Sequence, residues 1–214
     1  MPDAAALDAC AARANDLMAL SRERIGDELT KLLAMNDPAA TVAIMLERNI
    51  LTPVLPEIEA SRIADLRRLI AAEQEAAAAP DALRRLAALL PPDPAIAEAI
   101  AARLRLSNKA RKRLACAAQR DAASDPRALA YRVGLDCAVD RLLLAERPSD
   151  AAAIADWHSP RLPISGGTLI KRGLPEGPIV ARTLKQIEQQ WVDAGFPTGS
   201  AFHAIVDQAL AGAR

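Results

Sequence analysis

No stretch of this sequence alternates apolar and polar residues long enough to make a strand. Apolar residues recur instead at three- and four-residue spacing, in runs bounded by Ser, Asp-Pro or Gly-Pro. That spacing places them along one side of a helix. The bounding residues are helix starters: Ser and Asp accept the free N–H groups of a first turn, and Pro fits its first position. Ala, Leu, Arg and Glu favour helix, while the strand formers Val, Ile, Thr and the aromatics are sparse. The chain is therefore expected to be all-α, an irregular multi-helix array of about ten or more short helices with no sheet.

The expected order follows the punctuation. A first apolar stretch runs from Ala4 to Leu20, and Ser21 caps a second helix carrying Ile25, Leu29, Leu32 and Leu33. Asp37-Pro38 opens a third, with Val42, Met45 and Leu46 inward. The segment Ile50 to Pro56 breaks the pattern. A helix spans about Glu59 to Ala79, a short one runs from Pro80-Asp81 to Leu90, and another follows Pro91–Pro94. Ser107 begins a basic helix. Asp125-Pro126 begins a long one ending near Ala145, and Pro148 one reaching Trp157. Ser159 to Gly173 has little periodicity. Gly177-Pro178 starts a helix with Val180, Leu184, Ile187 and Trp191 in one stripe, and Ser200 to Ala211 is the last. No period of 20–50 residues repeats, which argues against a regular solenoid. We divide the chain into a neck-like segment 1–53, a body 54–147, and a tail 148–214 whose Gly/Pro-rich part is 159–178.

Several functions are disfavoured. No apolar run approaches the ~20 residues of a membrane span, and the N-terminus does not read as a signal peptide. No membrane partner is expected. Cys10, Cys116 and Cys137 are an odd set without metal-ligand spacing, read as reduced, mostly buried residues of a cytoplasmic protein. His158 and His203 are each alone. Gly166-Gly167-Thr168 lacks the ending of a phosphate-binding loop. Asp136 and Asp140, one turn apart, could hold a metal, but nearby Arg132 and Arg141 favour a salt-bridged face. The sequence offers no catalytic residues, metal site or cofactor site. Five aromatics are too few for a stacking platform that reads single strands.

Charge is balanced overall, so any electrostatic role rests on local clusters. Between Ala99 and Gln119 there is no acid, yet Arg103, Arg105, Lys109, Arg111, Lys112 and Arg113 fall there, and Arg120 follows. On a helical wheel Lys109, Arg113 and Arg120 form one stripe with Lys112 beside it. Cations near a helix N-terminus repel the macrodipole but suit a phosphate. A phosphate track is one reading; a solvated basic face is the other. A second cluster holds Arg161, Lys171, Arg172, Arg182 and Lys185, with Gly177 opening a helix. It is a second anion-binding candidate, or a plain turn between tail helices.

Four segments, in order, carry a resemblance. Ser21 to Leu33 resembles the S-x-E-R-I-x-x-E-L-x-K-L-L motif in the neck of bacterial class II CCA-adding tRNA nucleotidyltransferases and related poly(A) polymerases. Met45 to Pro56 resembles the continuation M-x-x-x-G-I-L-x-x-x-L-P-E, with Asn49 where Gly is usual. Leu104 to Lys109 resembles L-R-L-S-N-K/R in the body. Leu162 to Gly166 and Gly173 to Pro178 resemble the tail signature, with Thr168 where Asp is usual. The resemblance implies a C-terminal region that binds tRNA or other RNA, beside a catalytic head of the same parent protein. Mg2+ and ATP or CTP would belong to that head, whose Gly-Gly-x-Val-Arg-Asp stretch and carboxylates are missing here, so the chain alone should be inactive. Pro2-Asp3 resembles the segment just after the parent's templating residues, so Met1 is expected to be either a cloning start or an alternative one. Glu23, Arg24 and Glu28 are the neck motif's polar positions, Arg24 and Glu28 being also a possible helix ion pair. The apolar face of Ser21–Leu33 is expected to be exposed, and a dimer through it is possible. The competing reading is a structural or protein-interaction domain whose basic patches meet an acidic partner.

Overall fold

The computed structural model describes residues 3–122 and 125–213. Met1, expected to be a cloning or alternative start, and Pro2 lie outside the described residues. Among these the chain is all-α, with no strand. The helices are α1 (Ala4–Ala12), α2 (Arg22–Leu33), α3 (Ala39–Glu47), α4 (Arg62–Glu75), α5 (Ala82–Leu89), α6 (Pro94–Arg103), α7 (Asn108–Ala118), α8 (Pro126–Val133), α9 (Leu135–Leu144), α10 (Pro148–Ile154), α11 (Gly166–Lys171), α12 (Pro178–Asp193) and α13 (Gly199–Gly212), plus a 3-10 helix at Ala14–Ala19.

Local chemistry sets most of the starts. The side chains of Ser21, Asp81, Asp93, Ser107 and Asp125 each accept a backbone N–H from the first turn they precede. Two expected helices are broken. The first apolar stretch changes from α to 3-10 at Arg13. The long helix after Asp125 divides at Gly134, whose φ of 85° no side-chain-bearing residue adopts readily, so α8 and α9 are separate. In the segment expected to lack periodicity, Ser165 starts the short α11: its Oγ accepts from Thr168 N and lies 3.1 Å from Thr168 Oγ1. Thr168 thus shares the cap at the position where Asp is usual. Asn49, standing where the motif has Gly, takes a φ of 55°, which explains the preference for Gly there.

Three apolar clusters make up the interior. The first joins α2 and α3 to α4–α7 through Leu33, Val42, Leu55, Leu66, Leu89, Ile100 and Leu114, and so runs continuously across residue 53. Here α2 passes so near the end of α6 that a Cβ on Gly26 would sit 2.8 Å from the Leu104 carbonyl oxygen. The second joins α4 to α8–α10 through Leu69, Leu142, Leu143 and Ile154. The third, in the tail, gathers Leu169, Ile187, Trp191, Phe202 and Val206. One helix, α8, serves two of them: Leu129 and Ala130 pack toward the second, Ala128 and Tyr131 toward the third.

Candidate nucleic-acid interface

The basic cluster separates into two populations once the side chains are placed. Ser107 Oγ accepts from Ala110 N and fixes the start of α7, aiming its cations by their helical phase. Arg113 points inward. Its Nε and Nη2 donate to Asp140 at 2.7 and 2.8 Å, and Nη2 also pairs with Asp81 at 2.9 Å. Asp140 is fully buried and also accepts from Arg84 Nε at 2.8 Å. Arg84 and Arg85 in turn share Glu73. Three carboxylates and three guanidiniums thus neutralise one another inside the body. Burial alone would raise the Asp81 carboxyl, but the Arg84 N–H and the Arg113 and Arg84 charges outweigh it and hold it below the usual range. Arg113 is held more firmly protonated by Asp140 and Asp81, against its own desolvation.

Arg120 does not line an exposed track either. Its Nη2 donates to the carbonyls of Ala87, Ala88 and Leu90 at 2.8–3.2 Å, covering the C-terminus of α5. Other arginines do the same elsewhere. Arg85 donates to the carbonyls of Leu33, Met35 and Asn36 where α2 ends. Arg141 donates to the Cys116 and Asp121 carbonyls and to Gln119 where α7 ends. Helix ends leave carbonyls without intrahelical partners and carry negative partial charge, which a buried guanidinium satisfies with several donors at once. The expectation that Lys109, Arg113 and Arg120 form one exposed stripe is therefore corrected. A wheel gives direction on one helix, and the partners of Arg113 and Arg120 come from others. The same holds for Asp136 and Asp140: Asp140 pairs with Arg84 and Arg113, whereas Arg132 pairs with Asp193. Among the described residues no three His, Cys, Asp or Glu side chains converge as a metal site.

What remains outside is narrower. Lys109 and Lys112 are exposed and make no ion pair among the described residues. Lys112 stands between two clefts. One lies between α6 and α7, where Arg111 pairs with Glu98 at 2.8 Å. The other lies between α7 and the α8–α9 junction, lined by Lys109, Lys112, Gly134, Leu135 and Asp136. Arg105 is exposed, with Glu23 Oε1 3.7 Å from its Nε, so the neck and body motifs meet at that pair. Glu28 pairs with Lys31 rather than mainly with Arg24; the Lys31 hydrogen bond and charge hold its carboxyl below the usual value. In the tail Arg161, Lys171 and Arg182 are exposed, while Arg172 is paired with Asp207. Gly177, with a φ of 121°, precedes α12, which has no side-chain cap.

Two features escape sequence reasoning. Cys116 and Cys137 form a disulfide joining α7 to α9, and Cys10 is exposed, which corrects the reading of reduced, mostly buried thiols. The pair is 21 residues apart with no local signature to announce it. A groove on the neck is the other: Leu17, Leu20, Ile25, Leu32 and Met45 line it, with Arg24 and Glu28 among its few polar residues. Leu20, Met18 and Met35 are exposed.

Residues 3–62 match a domain family described as the probable RNA and SrmB-binding site of polymerase A. No curated protein matches the chain in sequence. Among solved structures, the apo form II of a CCA-adding enzyme superimposes with a TM-score of 0.59 at 16% identity, over 92% of this chain and 51% of that one. The Thermotoga maritima CCA-adding enzyme in complex with tRNA_CCA gives 0.57 at 16% identity, over 94% and 53%. A CCA-adding enzyme with ATP gives the same values. At such identity these likenesses concern the fold, and the chain spans about half the length of the structures it resembles. The domain match covers little more than a quarter of the chain, and the shared fold extends over most of it.

No helix among the described residues is long and apolar enough to cross a membrane.

Proposed function

We propose that this chain is the RNA-gripping C-terminal region of a tRNA nucleotidyltransferase or poly(A) polymerase, holding tRNA or another RNA by its backbone. A head domain of the same parent protein would add the nucleotides. The observation that carries the reading is the match of residues 3–62 to a domain described as an RNA-binding site. The exposed, unpaired Lys109 and Lys112 beside Arg105 supply a surface suited to phosphates without base readout. The neck groove, apolar with Arg24 and Glu28 among its polar residues, is where the head would pack, or a second copy if the head is absent. Mg2+ and ATP or CTP belong to the head in this reading, and no step is assigned to them here. A cytoplasmic location follows from the RNA partner and no longer from the cysteines.

Binding of tRNA at several salt concentrations tests it. Each phosphate neutralised on a duplex contributes about −0.9 to the log–log slope. Changing Lys109 and Lys112 to Gln should weaken binding about equally for different tRNA sequences and reduce the slope by up to about two. The melting temperature should hold, because both side chains are exposed. Unchanged affinity and slope would move the interface to Arg161, Lys171 and Arg182. Tight binding of an acidic protein with none of tRNA would replace this reading with that of a protein-interaction domain.

A further inference from the structure

We propose that the Cys116–Cys137 disulfide is an exchange site for a small anionic thiol, attacked at Cys116 and steered there by the lysines of α7. Three placements lead to it. First, Lys109, Lys112 and Cys116 follow one another at three- and four-residue spacing, so they share a face of α7. That face borders the cleft at the α8–α9 junction, which both cysteines line, and Cys116 alone of the two also lines the cleft between α6 and α7. Second, the two sulfurs differ in access. Cys137 is buried, whereas Cys116 is partly exposed. Third, charge favours an anion there. Lys109 and Lys112 line the junction cleft against the carboxylate of Asp136, Arg113 being neutralised by Asp140 and Asp81, and Arg141 Nη2 lies 3.3 Å from Cys116 Sγ.

The leaving group is also placed. Cys137 is the third residue of α9, whose N-cap Gly134 offers no side-chain acceptor. A thiolate at a helix N-terminus is stabilised by the dipole and the free N–H groups. The incoming thiolate forms a bond to Cys116 Sγ as the Sγ–Sγ bond breaks. The electron pair departs on Cys137 Sγ, which then takes up a proton. One thiol is consumed, one mixed disulfide and one protein thiol appear, and no outside oxidant or reductant is needed. The result is a carrier site on α7 and a released staple between α7 and α9.

The test uses the oxidised, folded chain with Cys10→Ser to remove the exposed thiol. Reduced glutathione, which is anionic, is compared with uncharged 2-mercaptoethanol at equal thiolate concentration. Reactions are quenched by alkylation and mapped by peptide mass. The expected adduct lies on Cys116, with Cys137 alkylated. Changing Lys109 and Lys112 to Gln should slow glutathione by about threefold to tenfold and leave 2-mercaptoethanol unchanged, a loss that high salt should reproduce in the unaltered lysine background. An adduct on Cys137, equal slowing for both thiols, or a bridge that opens only when the chain unfolds would each overturn the proposal. Because the readout is sulfur chemistry, it stands or falls apart from RNA binding.

Discussion

The body and the tail solve the same packing problem with different materials. All five aromatic residues, Tyr131, Trp157, Trp191, Phe196 and Phe202, meet around the tail, with ring centroids 5.0–6.4 Å apart. The body has none. Its interior is Ala and Leu, and its large buried polar side chains are Glu73, Arg84, Arg85, Asp140 and Arg141. The contrast follows from helix length. The body is built from short helices, so many helix ends lie inside it, and each end carries unpaired carbonyls. Arginine is long enough to reach the end of a neighbouring helix and has donors for several carbonyls. The tail's main pair, α12 of 16 residues and α13 of 14, is approached in the body only by α4 of 14, and Ile187, Trp191, Phe202 and Val206 fill the tail's interior. A cluster of arginines in such a fold is thus as much a signature of buried helix ends as of a ligand.

The largest expected effect breaks the body's side of this comparison. Asp140→Ala removes the acceptor shared by Arg84 and Arg113 and leaves two guanidiniums short of partners in a dry interior. Breaking a buried pair in this way costs roughly 3–5 kcal/mol. Urea unfolding of the variant should show that loss, with Tyr131 and Trp191 packing unchanged by near-UV dichroism below the transition. A cost under about 1 kcal/mol would mean that water reaches Asp140 and that the ion cluster is a surface feature.

A smaller effect sharpens the tail's side. Trp191 is buried against Tyr131, Phe196 and Phe202, and its Nε1 donates to the Pro197 carbonyl at 2.9 Å. Trp191→Phe keeps a ring but loses that donor and part of the volume. About 1–3 kcal/mol should be lost, the scale for leaving a buried acceptor unpaired. The loss should be insensitive to salt. If it grows as salt rises, the tail is held by charge after all, and the contrast with the body fails.

Much of this organisation is legible in the residues, for identifiable reasons. Caps are local: Ser21, Asp81, Asp93, Ser107 and Asp125 act on N–H groups two or three positions ahead, and so the helix starts can be read from the chain. The tail stripe of Val180, Leu184, Ile187 and Trp191 is likewise a property of one helix, and Ile187 and Trp191 are buried as the spacing predicts. What escapes involves two elements at once. Arg113 and Lys112 are neighbours of like charge, and only the position of Asp140, far along the chain, makes one structural and the other free. The Cys116–Cys137 bridge depends in the same way on α7 and α9 lying side by side. The break at Gly134 is local yet hidden, because Val133-Gly134-Leu135 fits helical spacing until its φ is known.

The smallest effects come from pH, and they should separate the two regions by sign. In the body, hydrogen bonding to Arg103 holds the Glu57 carboxyl below its usual 4.5, and Asp81 is held below its usual 3.8. Stability from a depressed carboxyl is complete above its unfolded value and is lost as pH falls through the folded one, so the body should weaken below about pH 4. Where α8 meets the tail, burial and the 2.6 Å bond from Tyr131 Oη to Glu188 raise the phenol from 10.0 to about 12. A raised phenol contributes fully below 10 and loses that contribution as pH climbs toward 12, so the tail should weaken in alkali. Trp191 lies in the tail cluster whereas Trp157 packs against the second, so in a Trp157→Phe background fluorescence reports on the tail, while far-UV dichroism reports on every helix. On acidification dichroism should decline before fluorescence, and on alkalinisation the order should reverse. Because α8 packs against both interiors, strong coupling through it is the alternative. Coincident curves at both extremes would show that α8 transmits each loss in full and that body and tail unfold as one unit.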